Sequence, residues 1–363
     1  SRDSGPACAW LVGDGECGGR VMAALLLWPK LGVLAGEATY GRWVPVHLNL
    51  QLYGWTSLPL LGWLFAIYQI GKSKWAGPAI WGWSAALMAG SAFWLSGRTT
   101  GKIFLDWSGG SLLSLMLAQG LLWLVLVAAW WRQRKAWTKV KRIATALGLL
   151  MLAGVPWMLA QAASPSTYPP FDKTTGGPTG ASLLGSTLSV VALLLILPAT
   201  LGLKRVTSPR RWLWWVFVAE FVTFIALETK GGSHFTLPQI IGLGLLLPWL
   251  VWIPSEWKRF EWPERAVFWK RSMLVWWGVL ILAGWLEFLP GVLDRMKFTN
   301  GLVAHAHLAM AGFTSSFGLL LLTLLGGDKV AAALSGGGRL WNAAVGLHVV
   351  VLMLCGWLEG GSF

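Results

Sequence analysis

The chain has 363 residues, of which 55% are hydrophobic and 12% are charged, and it contains 28 Trp residues. A water-soluble domain of this size does not bury so much apolar surface, so the composition indicates an all-α polytopic membrane protein with the lipid bilayer as its surroundings. The formal net charge of +14 would suit nucleic acid. However, the basic residues lie in short loops and form no continuous patch, so we expect no nucleic-acid partner.

The N-terminal residues carry little structural signal. Residues 1–20 lack the apolar run of a secretory signal, and we expect them to be a disordered extension preceding a single transmembrane domain at 21–363. Cys8, Cys17 and Cys355 form neither a C-x-x-C pair nor a C-x-x-C-H attachment site. The cysteines therefore do not predict covalently attached heme.

Eleven stretches are apolar enough to cross a bilayer, which takes about 20 residues each. Of these, the first is short and the least well defined, so the count is eleven or ten. In chain order the predicted spans are residues 21–36, 45–71, 76–96, 111–131, 142–162, 182–203, 212–228, 235–254, 269–290, 301–325 and 340–359.

The distribution of Lys and Arg predicts how these spans are oriented. The loops after the even-numbered spans carry nineteen of these cations, and the loops on the opposite side carry seven. Since cytoplasmic loops are enriched in Lys and Arg, the N-terminus is predicted to be cytoplasmic and the C-terminus periplasmic.

Five histidines are present, and the predicted helix directions give their depth in the membrane. His47 lies near the outer end of the second span, and His305 and His307 lie in the outer part of the tenth. His234 begins the eighth span on the outer side, and His348 is near the middle of the eleventh. An imidazole in the membrane is costly unless it is paired or bound to a metal, so these residues are candidate ligands.

The pair His305–Ala306–His307 has a spacing that carries geometric information. Residues i and i+2 of a helix point about 200° apart, so the two rings cannot bind one metal. They can instead serve two cofactors on opposite flanks of the helix. The neighbouring residues Ala304, Ala309 and Gly312 are small and allow a flat macrocycle or another helix to come close.

Two segments, Arg42–Trp55 (RWVPVHLNLQLYGW) and Val303–Phe313 (VAHAHLAMAGF), resemble the large subunit of heme–copper oxidases. Within that superfamily they are most similar to the cbb-type oxidases and nitric oxide reductases. The family has a bundle of twelve helices, whose second helix carries one axial His of a low-spin heme and whose tenth carries an H-x-H pair. By span order the resemblance covers most of the chain.

The resemblance implies that His47 and His307 are the axial ligands of a low-spin heme b and that His305 faces a second, high-spin heme position. Arg42 lies just outside His47, where it would pair with heme propionates or anchor the chain among lipid headgroups. The expected partners are other membrane subunits and a cytochrome c-type electron-transfer subunit. The expected location is the inner membrane of a bacterium.

The sequence departs from the family at the second metal. The family's copper site takes a His from the sixth span and a His pair at the seventh, whereas residues 182–203 and 212–228 contain no His. All four Tyr residues lie outside those spans, and a twelfth span is missing. We therefore expect no copper and no complete binuclear centre. The chain would be an oxidoreductase-like heme b subunit of a respiratory complex without its own oxygen-reducing site.

Several alternatives stay open at this point. The chain could be an active oxidase or nitric oxide reductase whose second metal uses His234 or ligands from a partner chain, or a heme-free structural or transport protein. For His234 a backbone hydrogen bond is the favoured role. Glu220, in the middle of the seventh span, is either part of a proton path or a packed, hydrogen-bonded carboxyl group. Glu287 is expected at the membrane interface.

Overall fold

The computed structural model describes residues 20–34, 38–71, 73–174, 179–180, 183–229 and 237–362. Helix accounts for 77% of the structure, and no strand occurs within the described ranges. The predicted extension at residues 1–20 lies outside these ranges except for Arg20, and His234 lies outside them as well. The all-α architecture predicted from the sequence is therefore confirmed.

The chain divides into two compact units, one ending at Pro170 and the other beginning at Phe171. In the first unit a π-helical segment, π1 (Leu50–Thr56), joins two α-helices without a break. The α-helices described in this unit are α1 (20–27), α2 (Lys30–Leu34), α3 (Tyr40–Asn49), α4 (Ser57–Ile67), α5 (Ala76–Leu95), α6 (Gly109–Gln133) and α7 (Lys139–Ala163).

The first predicted span does not form one continuous helix. Its helical residues are split into α1 and α2 by a turn at Trp28 and Pro29. Proline has no backbone N–H to donate, and its ring disfavours helical conformation in the residue before it, which accounts for the interruption. The prediction of a single spanning helix over residues 21–36 is therefore wrong at this position.

The core of the first unit is built around two fully buried indoles, Trp94 and Trp107, whose rings meet edge to face at 4.8 Å. A Cβ atom at Gly90 would lie 2.9 Å from the Trp94 ring and 3.0 Å from the Trp107 ring. Gly90 is required because no side chain fits there. The Tyr53 ring of π1 packs edge to face on Trp107 at 5.1 Å, so the π-helical segment is part of this core.

The loop between α5 and α6 is held by two buried charged residues. Asp106 accepts hydrogen bonds from the backbone N–H and hydroxyl of Thr100 at 2.6 and 3.0 Å. Lys102 donates to the carbonyl oxygens of Ala162 and Tyr168 and so ties the loop to the end of α7. Burial raises the pKa of the Asp106 carboxyl and lowers the pKa of the Lys102 ammonium.

The second unit also contains a π-helical segment, π2 (Leu308–Thr314), between two α-helices. The chain is helical from Asn300 to Leu334 except at Gly327, where the non-helical backbone, with a φ of 70°, kinks the run. The α-helices described in this unit are α8 (Leu183–Thr200), α9 (Trp212–Thr229), α10 (Leu237–Gly244), α11 (Trp249–Trp257), α12 (Val267–Glu287), α13 (Val292–Met296), α14 (Asn300–His307), α15 (Ser315–Ser335) and α16 (Gly338–Glu359).

Helices α14 and α16 pack together unusually closely. A Cβ atom at Gly356 would overlap the backbone of Gly301, so the two helices can approach this far only because position 356 is glycine. At the same level Glu359 accepts hydrogen bonds from the backbone N–H of Asn300 at 2.8 Å and from its side-chain amide at 2.5 Å. A carboxylate at the start of α14 also complements the helix dipole.

Eight helical stretches in the described part of the chain are long and apolar enough to cross a membrane. They correspond to the predicted fourth to eleventh spans. The eighth is divided into α10 and α11 by turns that end at Pro248, and it still qualifies as one stretch from Leu237 to Trp257. The fold is that of a polytopic membrane protein.

Candidate functional site

The two histidines of α14 lie on opposite flanks of that helix. The Nδ1 atom of His305 lies 3.3 Å from Oε2 of Glu287 on α12. The ring of His307 instead packs edge to face on the ring of His348 on α16, with centroids 4.7 Å apart and an angle of 75°. This opposed arrangement follows from the i, i+2 spacing, and it gives each imidazole a different neighbouring helix.

The environment of His305 is a buried carboxylate and a glycine. Glu287 is the last residue of α12, and only 4% of it is exposed, so the carboxylate is buried within the second unit. Its expected position at the level of the membrane interface stays a prediction. A Cβ atom at Gly284 would lie 3.0 Å from the His305 ring, so α12 is free of a side chain where the imidazole rests. The His305–Glu287 contact is at ion-pair distance without hydrogen-bond alignment. The Glu287 carboxyl is buried, whereas the His305 side chain is 28% exposed although its Nδ1 atom is buried.

His307 has a defined tautomer. Its Nδ1 atom lies 2.8 Å from the carbonyl oxygen of Val303, one helical turn earlier. A carbonyl oxygen only accepts hydrogen bonds, so Nδ1 carries a proton, and in the neutral ring Nε2 carries the lone pair. A metal-binding histidine needs this arrangement, in which one ring nitrogen is held by the protein and the other is a Lewis base.

His47 belongs to the first unit, where it lies near the end of α3 and is partly buried. The neighbouring Asn49 is fully buried and donates to the carbonyl oxygen of Pro45 at 2.8 Å. Arg42 is the first residue of the Arg42–Trp55 segment. It donates a hydrogen bond to the carbonyl oxygen of Leu95, in the last turn of α5, at 3.3 Å. The guanidinium therefore interacts with a helix C-terminus, a contact that the sequence did not predict.

The segments that carry His47 and His305 share a local structure. In each, the π-helical segment begins three residues after the histidine and ends nine residues after it. In each, glycine follows the histidine by seven residues, and an aromatic residue, Thr and Ser come next. No convincing repeat was recognised in the sequence, because the shared letters are few and are spread over eleven positions.

A side-chain hydrogen bond is repeated at the end of both π-helical segments. Ser57 donates to the carbonyl oxygen of Leu52 at 3.1 Å, and Ser315 donates to that of Met310 at 2.9 Å. Both bonds reach back five residues, which matches the wider spacing of a π-helix. Short π-helical segments are frequent at functional sites, and both histidine-bearing helices contain one.

Glu220 occupies a separate position, on α9. It is buried, and its Oε2 atom accepts a hydrogen bond from the indole N–H of Trp249 on α11 at 2.8 Å. This is the contact expected of a packed, hydrogen-bonded carboxyl group. A proton path through Glu220 stays a prediction.

Two partners in this site were missed by sequence reasoning. His348 was noticed only as a histidine near the middle of a span, and Glu287 was assigned to the interface. The available signal was the close packing implied by Gly301 and Gly356, since small residues on two helices favour direct contact between them. Assigning the partner helix from one sequence was not possible, because the pairing joins residues about forty positions apart.

Within the described residues, no three His, Cys, Asp or Glu side chains converge as metal ligands. Heme iron takes one or two protein ligands and does not require such a group. No family model matches the chain, and no curated protein matches it. The fold and the histidine-bearing helices therefore define this chain as an integral membrane protein with candidate imidazole ligands on two helices.

Proposed function

We propose that the chain is a heme b-binding membrane subunit of a respiratory electron-transfer complex, related to the heme–copper oxidase large subunits but without a complete binuclear centre. One observation carries the proposal. Two imidazoles lie on opposite flanks of α14, and the Nδ1 atom of each faces a protein oxygen, that of Glu287 or of Val303. This leaves Nε2 as the nitrogen suited to a metal.

The residues present fit this cofactor by their donor chemistry. His307 and His47 would be the axial ligands of a low-spin heme b, and His305 would bind at a second heme position. When bound, heme supplies a one-electron redox centre whose potential is set by its ligands and by the surrounding dielectric. The chain's own contribution is to fix the tautomer of His307, to keep water away, and to place Glu287 beside His305.

The finer features of the fold belong to the same proposal. The chain would have about eleven spans, the first of them interrupted at Pro29, in the bacterial inner membrane, with the N-terminus in the cytoplasm and the C-terminus in the periplasm. Its partners would be other membrane subunits and a cytochrome c-type donor or acceptor. The positive-inside distribution of Lys and Arg supports the orientation, and the two π-helical segments support the relationship to a metal-binding bundle.

A reduced-minus-oxidised visible spectrum of the purified chain tests the proposal. We expect a b-type band that disappears in His307→Ala and in His47→Ala. His348→Phe is the matched control, because it keeps an aromatic ring against His307 while removing the imidazole nitrogens, and it should retain the band. A wild-type protein with no b-type band would refute the proposal and favour a heme-free structural or transport role.

A further inference from the structure

Two loops of the second unit meet where four of its helices begin or end. The loop between α8 and α9 pairs with the loop between α11 and α12 through a short antiparallel bridge of Arg205 and Phe260. Backbone hydrogen bonds join Val206 to Arg259 at 2.8 Å and Glu261 to Lys204 at 2.9 Å. The bridge holds the two loops in a fixed register at the membrane surface.

Two arginines of this bridge share one buried carboxylate, and a third arginine contacts the residue next to it. Arg205 contacts Oε1 of Glu256 at 2.5 Å, and the Nε atom of Arg259 lies 3.6 Å from Oε2. Arg210 donates to the hydroxyl of Ser255, the residue next to Glu256, at 2.6 Å. Two guanidinium groups thus share one carboxylate and the third contacts a neutral hydroxyl, so positive charge is in excess within the cluster.

The arginines are held in place by further contacts and are partly shielded from solvent. The guanidinium of Arg205 lies over the ring of Phe260 at 4.3 Å, and Arg259 donates to the hydroxyl of Thr207 at 2.8 Å. The side chains of Arg205 and Arg259 are 28% and 22% exposed, whereas that of Glu256 is 6% exposed. Partly desolvated cations attract an anion more strongly than freely hydrated ones do.

The surroundings of the cluster are those of a membrane interface. Helix α8 ends at Thr200, α9 begins at Trp212 and α11 ends at Trp257, so the cluster lies at the ends of membrane-spanning helices. Trp212, whose side chain is exposed, packs edge to face on Trp252 at 5.1 Å. Tryptophan is enriched at the level of the lipid headgroups.

From this arrangement we propose that the cluster of Arg205, Arg210 and Arg259 binds the phosphodiester headgroup of an anionic phospholipid. A guanidinium has five N–H donors, and the contacts described above use one or two on each arginine, so donors remain for phosphate oxygens. Basic pockets among transmembrane helices are suited to such headgroups. This site does not depend on heme binding, since it uses none of the histidines.

Lipid binding by the full chain in neutral detergent tests the proposal, with phosphatidylglycerol and phosphatidylcholine titrated separately and followed by native mass spectrometry. We expect wild type to retain phosphatidylglycerol selectively. Arg210→Gln should weaken that binding about tenfold, because a charge-assisted hydrogen bond is lost. Arg211→Gln is the matched control, since it removes the same charge from the adjacent, exposed position and should change the affinity little.

Arg259→Gln provides a second variant, and Arg210→Lys tests whether charge alone suffices; we expect Lys to restore only part of the affinity. Equal affinity for the two lipids, or equal losses in Arg210→Gln and Arg211→Gln, would overturn the proposal. A millimolar amount of inorganic phosphate should not displace the lipid. Complete displacement would show a general anion site and would also overturn it.

Discussion

The identity of the hydrogen-bond partner decides what each imidazole in this protein can do. The sequence was sufficient to predict that His305 and His307 point in opposite directions, because that follows from the helical repeat alone. It was not sufficient to predict Glu287 and His348 as their neighbours, because those contacts depend on which helices pack against α14. The contact between His307 and the carbonyl oxygen of Val303 could have been predicted, since that carbonyl lies one helical turn before His307.

Replacement of Glu287 tests its role beside His305. Glu287→Gln keeps the size of the side chain but removes its negative charge, so the imidazole becomes a weaker donor to a metal. We expect retention of a second heme to fall about 10- to 100-fold, the usual effect of losing such a partner, while the low-spin band persists. The total heme content per chain, compared with the intensity of the low-spin b-type band, checks this. Unchanged retention would show that Glu287 has no part in binding.

The loop carboxyl Asp106 gives a prediction about pH. Burial raises its pKa in the folded state, so the folded chain binds this proton more tightly than the unfolded chain does. The resulting stabilisation is complete below the unfolded-state pKa, about 3.9, and is lost as pH rises through the raised folded-state pKa. Relative to Asp106→Asn, wild type should therefore lose stability as pH rises above about 4.

Thermal unfolding in detergent over that pH range measures the difference. Asp328→Asn is the control, because the Asp328 side chain is 88% exposed and is expected to show no comparable trend. A difference between wild type and Asp106→Asn that stays constant with pH would contradict the account.

At the scale of elements, the π-helical segments were the main feature that the sequence did not predict. A π-helix differs from an α-helix by its hydrogen-bond spacing, and apolar periodicity over seven residues does not distinguish the two. The shared glycine, aromatic residue, Thr and Ser after His47 and His305 became meaningful only once both segments proved π-helical. The ends of ordinary helices were easier to predict because Pro and Gly mark them.

Deletion of Ala311 tests the importance of π2. Removing one residue should return the segment to α-helical spacing, which removes the local bulge and shifts His305 and His307 relative to α15. We expect heme binding to be lost while the helical content by circular dichroism is kept. Ser315→Ala, which removes only the side-chain hydrogen bond to Met310, should cost about 1 kcal/mol and leave heme bound. Full heme binding after the deletion would contradict this role for π2.

The close approach of α14 and α16 gives a second prediction at this scale. An alanine at Gly356 would overlap Gly301, so Gly356→Ala should destabilise the protein by about 1–3 kcal/mol or more through overpacking. Gly346→Ala on the same helix is the matched control, because its nearest neighbour is a Trp276 ring atom at 3.9 Å. Thermal unfolding of both variants measures the effect. Equal stability of the two would show that the contact is not tight.

At the scale of the whole molecule, composition and apolar length were sufficient to predict an all-helical membrane protein. The predicted stretches from the fourth span onward proved long and apolar enough to cross a bilayer. The first predicted span is not one continuous helix, because Pro29 interrupts it. The average apolar composition of a stretch does not reveal such a single break. The relative placement of helices depends on contacts between distant residues, which apolar patterning does not encode.

Orientation in the membrane is testable by a fusion after Phe363. The uneven distribution of Lys and Arg predicts a periplasmic C-terminus, so an alkaline phosphatase fusion should be active and a green fluorescent protein fusion should be dark. The same pair of reporters placed after Trp137, between α6 and α7, should give the opposite result, because that loop is rich in cations. A fluorescent C-terminal fusion would contradict the predicted orientation.

The heme content per purified chain, measured as the pyridine hemochrome, tests the central claim most directly. We predict at least one b-type heme per wild-type chain, and a loss of about one heme in His307→Ala, whose imidazole is held by the Val303 carbonyl with Nε2 as the lone-pair nitrogen. A wild-type chain with no heme, or a His307→Ala variant with the full wild-type content, would contradict the claim.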